Sequence, residues 1–155
     1  MQDSEEIAFK TRLRRVALDG IEARISAARA AIDGAQQAAN QEEKSSAGDK
    51  YETGRAMGHL QKDMYARQLA ESIKELAALH AVNTDNLYST ACAGAFIGCG
   101  EIGFFIVAGL GRQQVEGQTV FFLSPLSPLA KTLQNKKPGD TIVFNGSPVT
   151  IRKVF

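Results

Sequence analysis

Apolar residues recur at helical intervals through roughly the first half of the chain and gather into short runs after it. Leu18, Ile21, Ile25, Ala28, Ile32, Ala35 and Ala39 are separated alternately by three and four residues, which is a heptad seam. Asp3 or Ser4 is placed to cap this helix, with Glu6 positioned for a capping box. Gly20 and Gly34 weaken the helix by about 1 kcal/mol each without ending it. A second, less regular series, Met57, Leu60, Met64, Leu69, Ile73 and Leu76, runs on to about His80. Residues 41–48 between the two series are polar and short, so the helices are expected to fold back on one another antiparallel. Arms of about 30 to 35 residues would give a rod of roughly 45 to 50 Å.

Beyond residue 86 the apolar positions fall at 95–97, 103–108, 120–123, 141–144 and 149–154. Gly100-Glu101, Glu116-Gly117, Gly139-Asp140 and Asn145-Gly146 punctuate these runs as hairpin turns. Ser127-Pro128-Leu129-Ala130-Lys131-Thr132-Leu133 is different, with serine as N-cap, proline at the first helical position and a short amphipathic turn or two behind it. The fold class expected from these patterns is α+β. An antiparallel helical hairpin (coiled coil) covers 1–82 with its tip near 41–52, and a small antiparallel β-sheet domain with one short helix covers 83–155.

Composition agrees with a division near residue 82, because all four prolines and most of the glycines and phenylalanines lie after it. Lysine and arginine number 18 against 17 aspartates and glutamates, so a formal charge of +1 provides no field to hold the whole molecule on nucleic acid or membrane. Any link to nucleic acid then runs through a protein partner or a local patch. The acidic start, Met1-Gln2-Asp3-Ser4-Glu5-Glu6, does not read as a secretory leader, and a cytoplasmic location is expected. Residues 91–110 are almost wholly apolar and near the length of a membrane span. Glu101 and the glycines at 94, 98, 100, 103 and 109 mark them instead as strands and a turn.

Cys92 and Cys99 are too few for a disulfide scaffold and read as reduced, buried small residues. His59 and His80 have no ligand or nucleophile partner at recognisable spacing, and no P-loop, dinucleotide fingerprint, nucleophile elbow or CxxC pair is present. A self-contained metabolic enzyme is not expected.

Two groups of residues can carry function. In Gly48-Asp49-Lys50-Tyr51-Glu52 the two acids stand at i and i+3, on one face of a first helical turn, where both can reach one hard cation such as Mg²⁺. The same spacing is also that of a capping box, which only satisfies amides at a helix start. Tyr51 and Arg55 beside the acids are candidate partner contacts. The second group is Lys131, Lys136, Lys137, Arg152 and Lys153, a basic patch beside the serine-proline helix, or else ordinary surface lysines.

The segment Ser124-Pro125-Leu126-Ser127-Pro128-Leu129-Ala130-Lys131-Thr132-Leu133, followed by Lys136-Lys137-Pro138-Gly139-Asp140-Thr141-Ile142, resembles the C-terminal domain of the GreA/GreB family of bacterial transcription elongation factors. The N-terminal half resembles the family in architecture and in the Gly-Asp-x-x-Glu element of its tip. The resemblance implies an FKBP-like C-terminal domain that docks on bacterial RNA polymerase at the secondary channel, with Ser127, Pro128, Lys131, Lys136 and Lys137 on the docking face. It implies a coiled coil that enters the channel and a Mg²⁺ shared between the polymerase and Asp49 and Glu52, with no cofactor in the isolated protein. Backtracked RNA would then be cleaved at its 3′ end in the polymerase's own active site. The chain would be a monomeric accessory factor, neither an enzyme itself nor bound to membrane, meeting the DNA–RNA complex only through the polymerase. It departs from the family where Thr53-Gly54-Arg55-Ala56 follow the tip acids, and residues 83–120 match loosely. A different alignment, with Tyr51 on the family tyrosine, leaves Glu42 and Glu43 as the nearest carboxylates. The alternatives are a Gre-like inhibitor or competitor at the same channel and a dimerising coiled-coil interaction module.

Overall fold

The heptad positions of the first helix and the serine-capped helix near residue 127 are the strongest local signals, and both elements form. The computed structural model describes residues 2–44 and 48–155, with the side chains of residues 42–55 outside the description. The elements run in the order α1 (Gln2–Lys44), α2 (Gly48–Ala81), β1 (Phe96–Gly98), β2 (Ile102–Ile106), β3 (Gly111–Val115), β4 (Gln118–Leu123), α3 (Pro128–Leu133), β5 (Thr141–Phe144), β6 (Ser147–Thr150) and β7 (Lys153–Val154). The fold is therefore α+β: two long helices followed by a small mixed sheet. Its residues divide into two compact units, Met1–Gly20 together with Ala77–Phe155, and Ile21–Leu76.

In the unit Ile21–Leu76, the α1 seam lies where the heptad reading places it. Ile21, Ile25, Ala28 and Ala35 are buried, and Ile32 and Ala39 are half-buried. The face of α2 differs from the expectation. Met57, Leu60, Met64 and Ile73 are exposed; among the described side chains of this unit the covered positions are Gly58, Lys62, Tyr65, Leu69, Ser72 and Leu76, spaced alternately by four and three, with Glu75 beside them. The seam ends in Ala35 and Ala39, and there the helices come close: a Cβ on Gly58 would lie 3.7 Å from the Ala39 Cβ. Lys62 Nζ donates to Gln36 Oε1 at 2.6 Å, and Arg24 approaches Glu75 at 3.6 Å. Pairs 24 with 75, 36 with 62 and 39 with 58 run in opposite order along the two helices.

In the other unit, the sheet order is β3-β4-β2-β1-β7, with β5 and β6 forming a separate two-stranded sheet. The expectation of an antiparallel sheet is corrected at one pairing, because β2 and β4 run parallel, Ile102 opposite Thr119 through Ile106 opposite Leu123. The polarity of β3 accounts for this. Gly111-Arg112-Gln113-Gln114-Val115 is mostly exposed and takes the edge, while β4 buries Val120 and Phe122 and takes the inner position beside β2. The same polarity hides β3 from an apolar-run reading. The run 149–154 is also not one strand: β6 and β7 belong to different sheets, and buried Ile151 lies between them.

Three turn signals behave as expected. Gly100-Glu101 joins antiparallel β1 and β2, with Cys99 N donating to Ile102 O at 2.9 Å and Gly100 at φ 90°. Glu116-Gly117 and Asn145-Gly146 both have positive φ at both residues, as a two-residue hairpin turn of type I′ requires. Gly139-Asp140 is not a hairpin. It closes a local turn in which Lys137 N donates to Asp140 Oδ2 at 2.9 Å, and Asp140 and Ile151 join the strand ends at 2.8 Å. Ala91, Ala95, Ile97, Phe104, Ile106, Ala130, Leu133, Ile142 and Ile151 form the core. The first turns of α1 join this unit through Phe9, whose ring meets those of Phe96 and Phe155 at 5.0 and 6.2 Å. Among the described residues no helix is long and apolar enough to cross a membrane; residues 91–110 form β1, β2 and their connections.

Candidate functional site

α3 is a short helix held at both ends. Ser127 has extended backbone (φ −67°, ψ 151°), its side chain accepts from Ala130 N at 3.2 Å, and Pro128 follows where no amide is needed. Ala130 and Leu133 are buried, so Pro128 and Lys131 are left facing outward. Past the helix Asn135 takes φ 66°, its amide donates to Ala91 O at 2.9 Å, and Ala91 N donates to Lys136 O at 2.8 Å. Lys136 is half-buried and Lys137 exposed in the turn closed by Asp140. Ser127, Pro128, Lys131, Lys136 and Lys137 thus fall within one helix and its flanks. Leu126, immediately before the cap, is 80 % exposed, and Val143 on β5 is 69 % exposed.

Arg152 and Lys153 are placed by β1 and its turn. Arg152 N donates to Gly98 O at 2.8 Å, and its guanidinium packs over Gly100, where a Cβ would lie 3.4 Å from Cζ. The Lys153 stem packs over Gly98, and its ammonium lies 5.9 Å from the centre of the Phe155 ring. Both side chains are exposed and lack a carboxylate partner among the described residues.

The tip candidates are placed by backbone alone. α2 begins at Gly48, which puts Asp49 and Glu52 in its first turns. The side chains of Asp49, Tyr51, Glu52 and Arg55, like those of Glu42 and Glu43, lie outside the described residues. Among the described residues no group of three or more histidine, cysteine, aspartate or glutamate side chains is arranged to hold a metal ion.

One buried charge escaped the sequence reading. Lys10 is fully buried, donates from Nζ to Asn86 O at 2.7 Å and lies 4.7 Å from the centre of the Tyr88 ring. Burial pulls its pKa down to about 8, opposed by the nearby Cys92 and Glu6. The available signal was its spacing: Lys10, Leu13 and Ala17 share one face of α1, and the other two are fully buried. Its single strong hydrogen bond ties α1 to the irregular chain following α2. The cysteines are half-buried rather than fully buried, and both are free thiols. Burial raises the pKa of Cys92, and that of Cys99 to about 11, so neither is an activated nucleophile.

No family model, no curated protein and no solved structure matches this chain.

Proposed function

We propose that this chain is an RNA polymerase accessory factor of the Gre type, acting in the bacterial cytoplasm. It stimulates cleavage of backtracked transcripts from the polymerase secondary channel. In this reading residues 1–82 form an antiparallel hairpin, residues 83–155 an FKBP-like domain, and the monomer docks through Ser127, Pro128, Lys131, Lys136 and Lys137. The observation that carries it is the order of contacts between α1 and α2, with Arg24 beside Glu75 and Gln36 beside Lys62. That order, with α2 beginning at Gly48, supports a hairpin with Asp49 and Glu52 at its turn.

At the polymerase active site, a second Mg²⁺ needs only one or two carboxylates from the factor and keeps several waters. Asp49 would be the principal ligand and Glu52 would support the metal or orient a water, while the metal would supply charge stabilisation and water activation in the polymerase's own active site. Tyr51 and Arg55 contact the polymerase beside the acids. The experiment is cleavage of the RNA 3′ end in a stalled, backtracked complex of the cognate polymerase with Mg²⁺. The protein should accelerate release of short 3′ fragments, and Asp49→Ala should abolish that acceleration while leaving binding intact. No binding to the polymerase would sink the reading. A second reading is favoured by Thr53-Gly54-Arg55 after the acids: binding that slows elongation without cleavage identifies an inhibitor of the same channel.

A further inference from the structure

The exposed apolar residues of α2 continue into a groove that the polymerase reading does not use. Met57, Leu60, Met64, Gln68, Glu71 and Glu75 succeed one another by three or four residues and share one face of α2. At one end of this stripe Met57, Leu60 and Met64 are 58 %, 68 % and 43 % exposed. At the other, Gln68, Glu71 and Glu75 line a groove of about 530 Å³ whose α1 wall is Ala27, Ala28 and Ala31. Alanine brings a ligand backbone close to α1. Glu75 Oε2 is buried without a hydrogen-bond partner, and Arg24 stands 3.6 Å from it, too far for a good hydrogen bond. With Arg24 set against Glu71 and Glu75, the groove keeps one unbalanced negative charge.

We propose that this face is a docking site for an amphipathic helix of a partner protein, apolar at one end and basic at the other. Charge complementarity fixes the basic end: a lysine or arginine pairs with exposed Glu71 and the accessible part of Glu75, while leucine-like side chains cover Met57, Leu60 and Met64. Leu60 and Glu75 are 15 residues apart, so the partner's apolar and basic anchors lie about 22 Å apart along its axis. A helix matches this straight stripe.

The test uses the full chain and a fluorescein-labelled helical peptide of about 20 residues, with leucines at i, i+3 and i+7 in one half and arginines one α-helical span away in the other. Fluorescence anisotropy should show saturable binding that weakens at higher salt, with an affinity loss of about tenfold in Glu75→Gln. Ala27→Leu, which fills the groove with a good helix former, should produce a loss at least as large. Circular dichroism verifies that both variants remain folded. Absence of binding, equal binding of a peptide with glutamates in place of the arginines, or binding unchanged in both variants overturns the proposal. So does sedimentation as a dimer that Ala27→Leu dissociates, which would assign the face to a second copy. Because no polymerase is present, failure here is separate from failure of the cleavage assay.

Discussion

Replacing Gly103 by alanine places a methyl group where the Phe96 ring already lies. A Cβ built on Gly103 would be 2.5 Å from Phe96 Cζ, 2.7 Å from Cε2 and 3.3 Å from the Ile97 carbonyl oxygen. Gly103 pairs with Gly98 across β1 and β2, and the two glycines leave a slot that the ring crosses. The ring has little room to yield. Phe9 packs on it edge to face at 5.0 Å and Phe155 at 5.1 Å, and the Phe96 backbone is tied to Phe155 by hydrogen bonds of 2.8 and 3.0 Å. Restoring ordinary contact requires a shift of about 1 Å, and overpacking of this kind costs about 1 to 3 kcal/mol. The reduced freedom of the unfolded alanine chain offsets about 0.4 to 1 kcal/mol. The net expectation is a destabilisation of about 1 to 2 kcal/mol. Urea unfolding followed by near-UV circular dichroism, which reads packed aromatic rings, should show a midpoint about 1 M lower at unchanged m-value. Combining Gly103→Ala with Phe96→Leu should recover part of the loss, a coupling of about 1 kcal/mol or more. Gly34→Ala is the contrast, since nothing lies within 4 Å of its Cβ and the position is inside α1; it should stabilise by about 0.5 to 1 kcal/mol. If Gly103→Ala matches the wild type in midpoint, the argument from the ring is wrong.

Lys10 provides a pH signature. Its folded pKa of about 8 lies below the ordinary 10.5, so folding carries a penalty below pH 8 that disappears as pH rises toward 10.5, an increase of at most about 3 kcal/mol. Cys92 and Cys99 act oppositely above about pH 9, holding protons in the folded state that the unfolded chain has lost. The stability difference between wild type and Lys10→Met isolates the lysine: it should move in favour of wild type between pH 7.5 and 10, and a flat difference would show that the amine is not desolvated. Ser127→Ala should cost about 1 kcal/mol by removing the cap on Ala130 N, seen as a melting temperature lower by about 2 to 4 °C, and Ser127→Asp should restore it.

The α1 seam was legible because seven apolar positions repeat without interruption, and the α3 cap because serine and proline act through their immediate neighbours. Glu116-Gly117 and Asn145-Gly146 were equally local, their positive φ angles following from residue type. The face of α2 was not legible. Apolarity pointed to Met57, Leu60 and Met64, while the covered positions include Gly58, Lys62 and Ser72. Where the seam ends in Ala35 and Ala39, Gly58 lets the backbones approach, and hydropathy does not record that. The helix start at Ser127 was legible through serine-proline chemistry, whereas Lys10 carries no motif. Only its position between Asn86 and Tyr88 distinguishes it from any other surface lysine of a helix.

By itself the sequence determined the two long helices, the short capped helix, the three tight hairpin turns and the shift to strands after residue 86. All of these depend on interactions within a few residues. Only the tertiary structure decided that β4 lies parallel to β2, that polar β3 takes the edge, that residues 149–154 divide between two sheets, and that Phe9 joins Phe96 and Phe155. Those outcomes rest on contacts between residues far apart in the chain, where the side chains compete for a limited interior and the most apolar strand takes the central place.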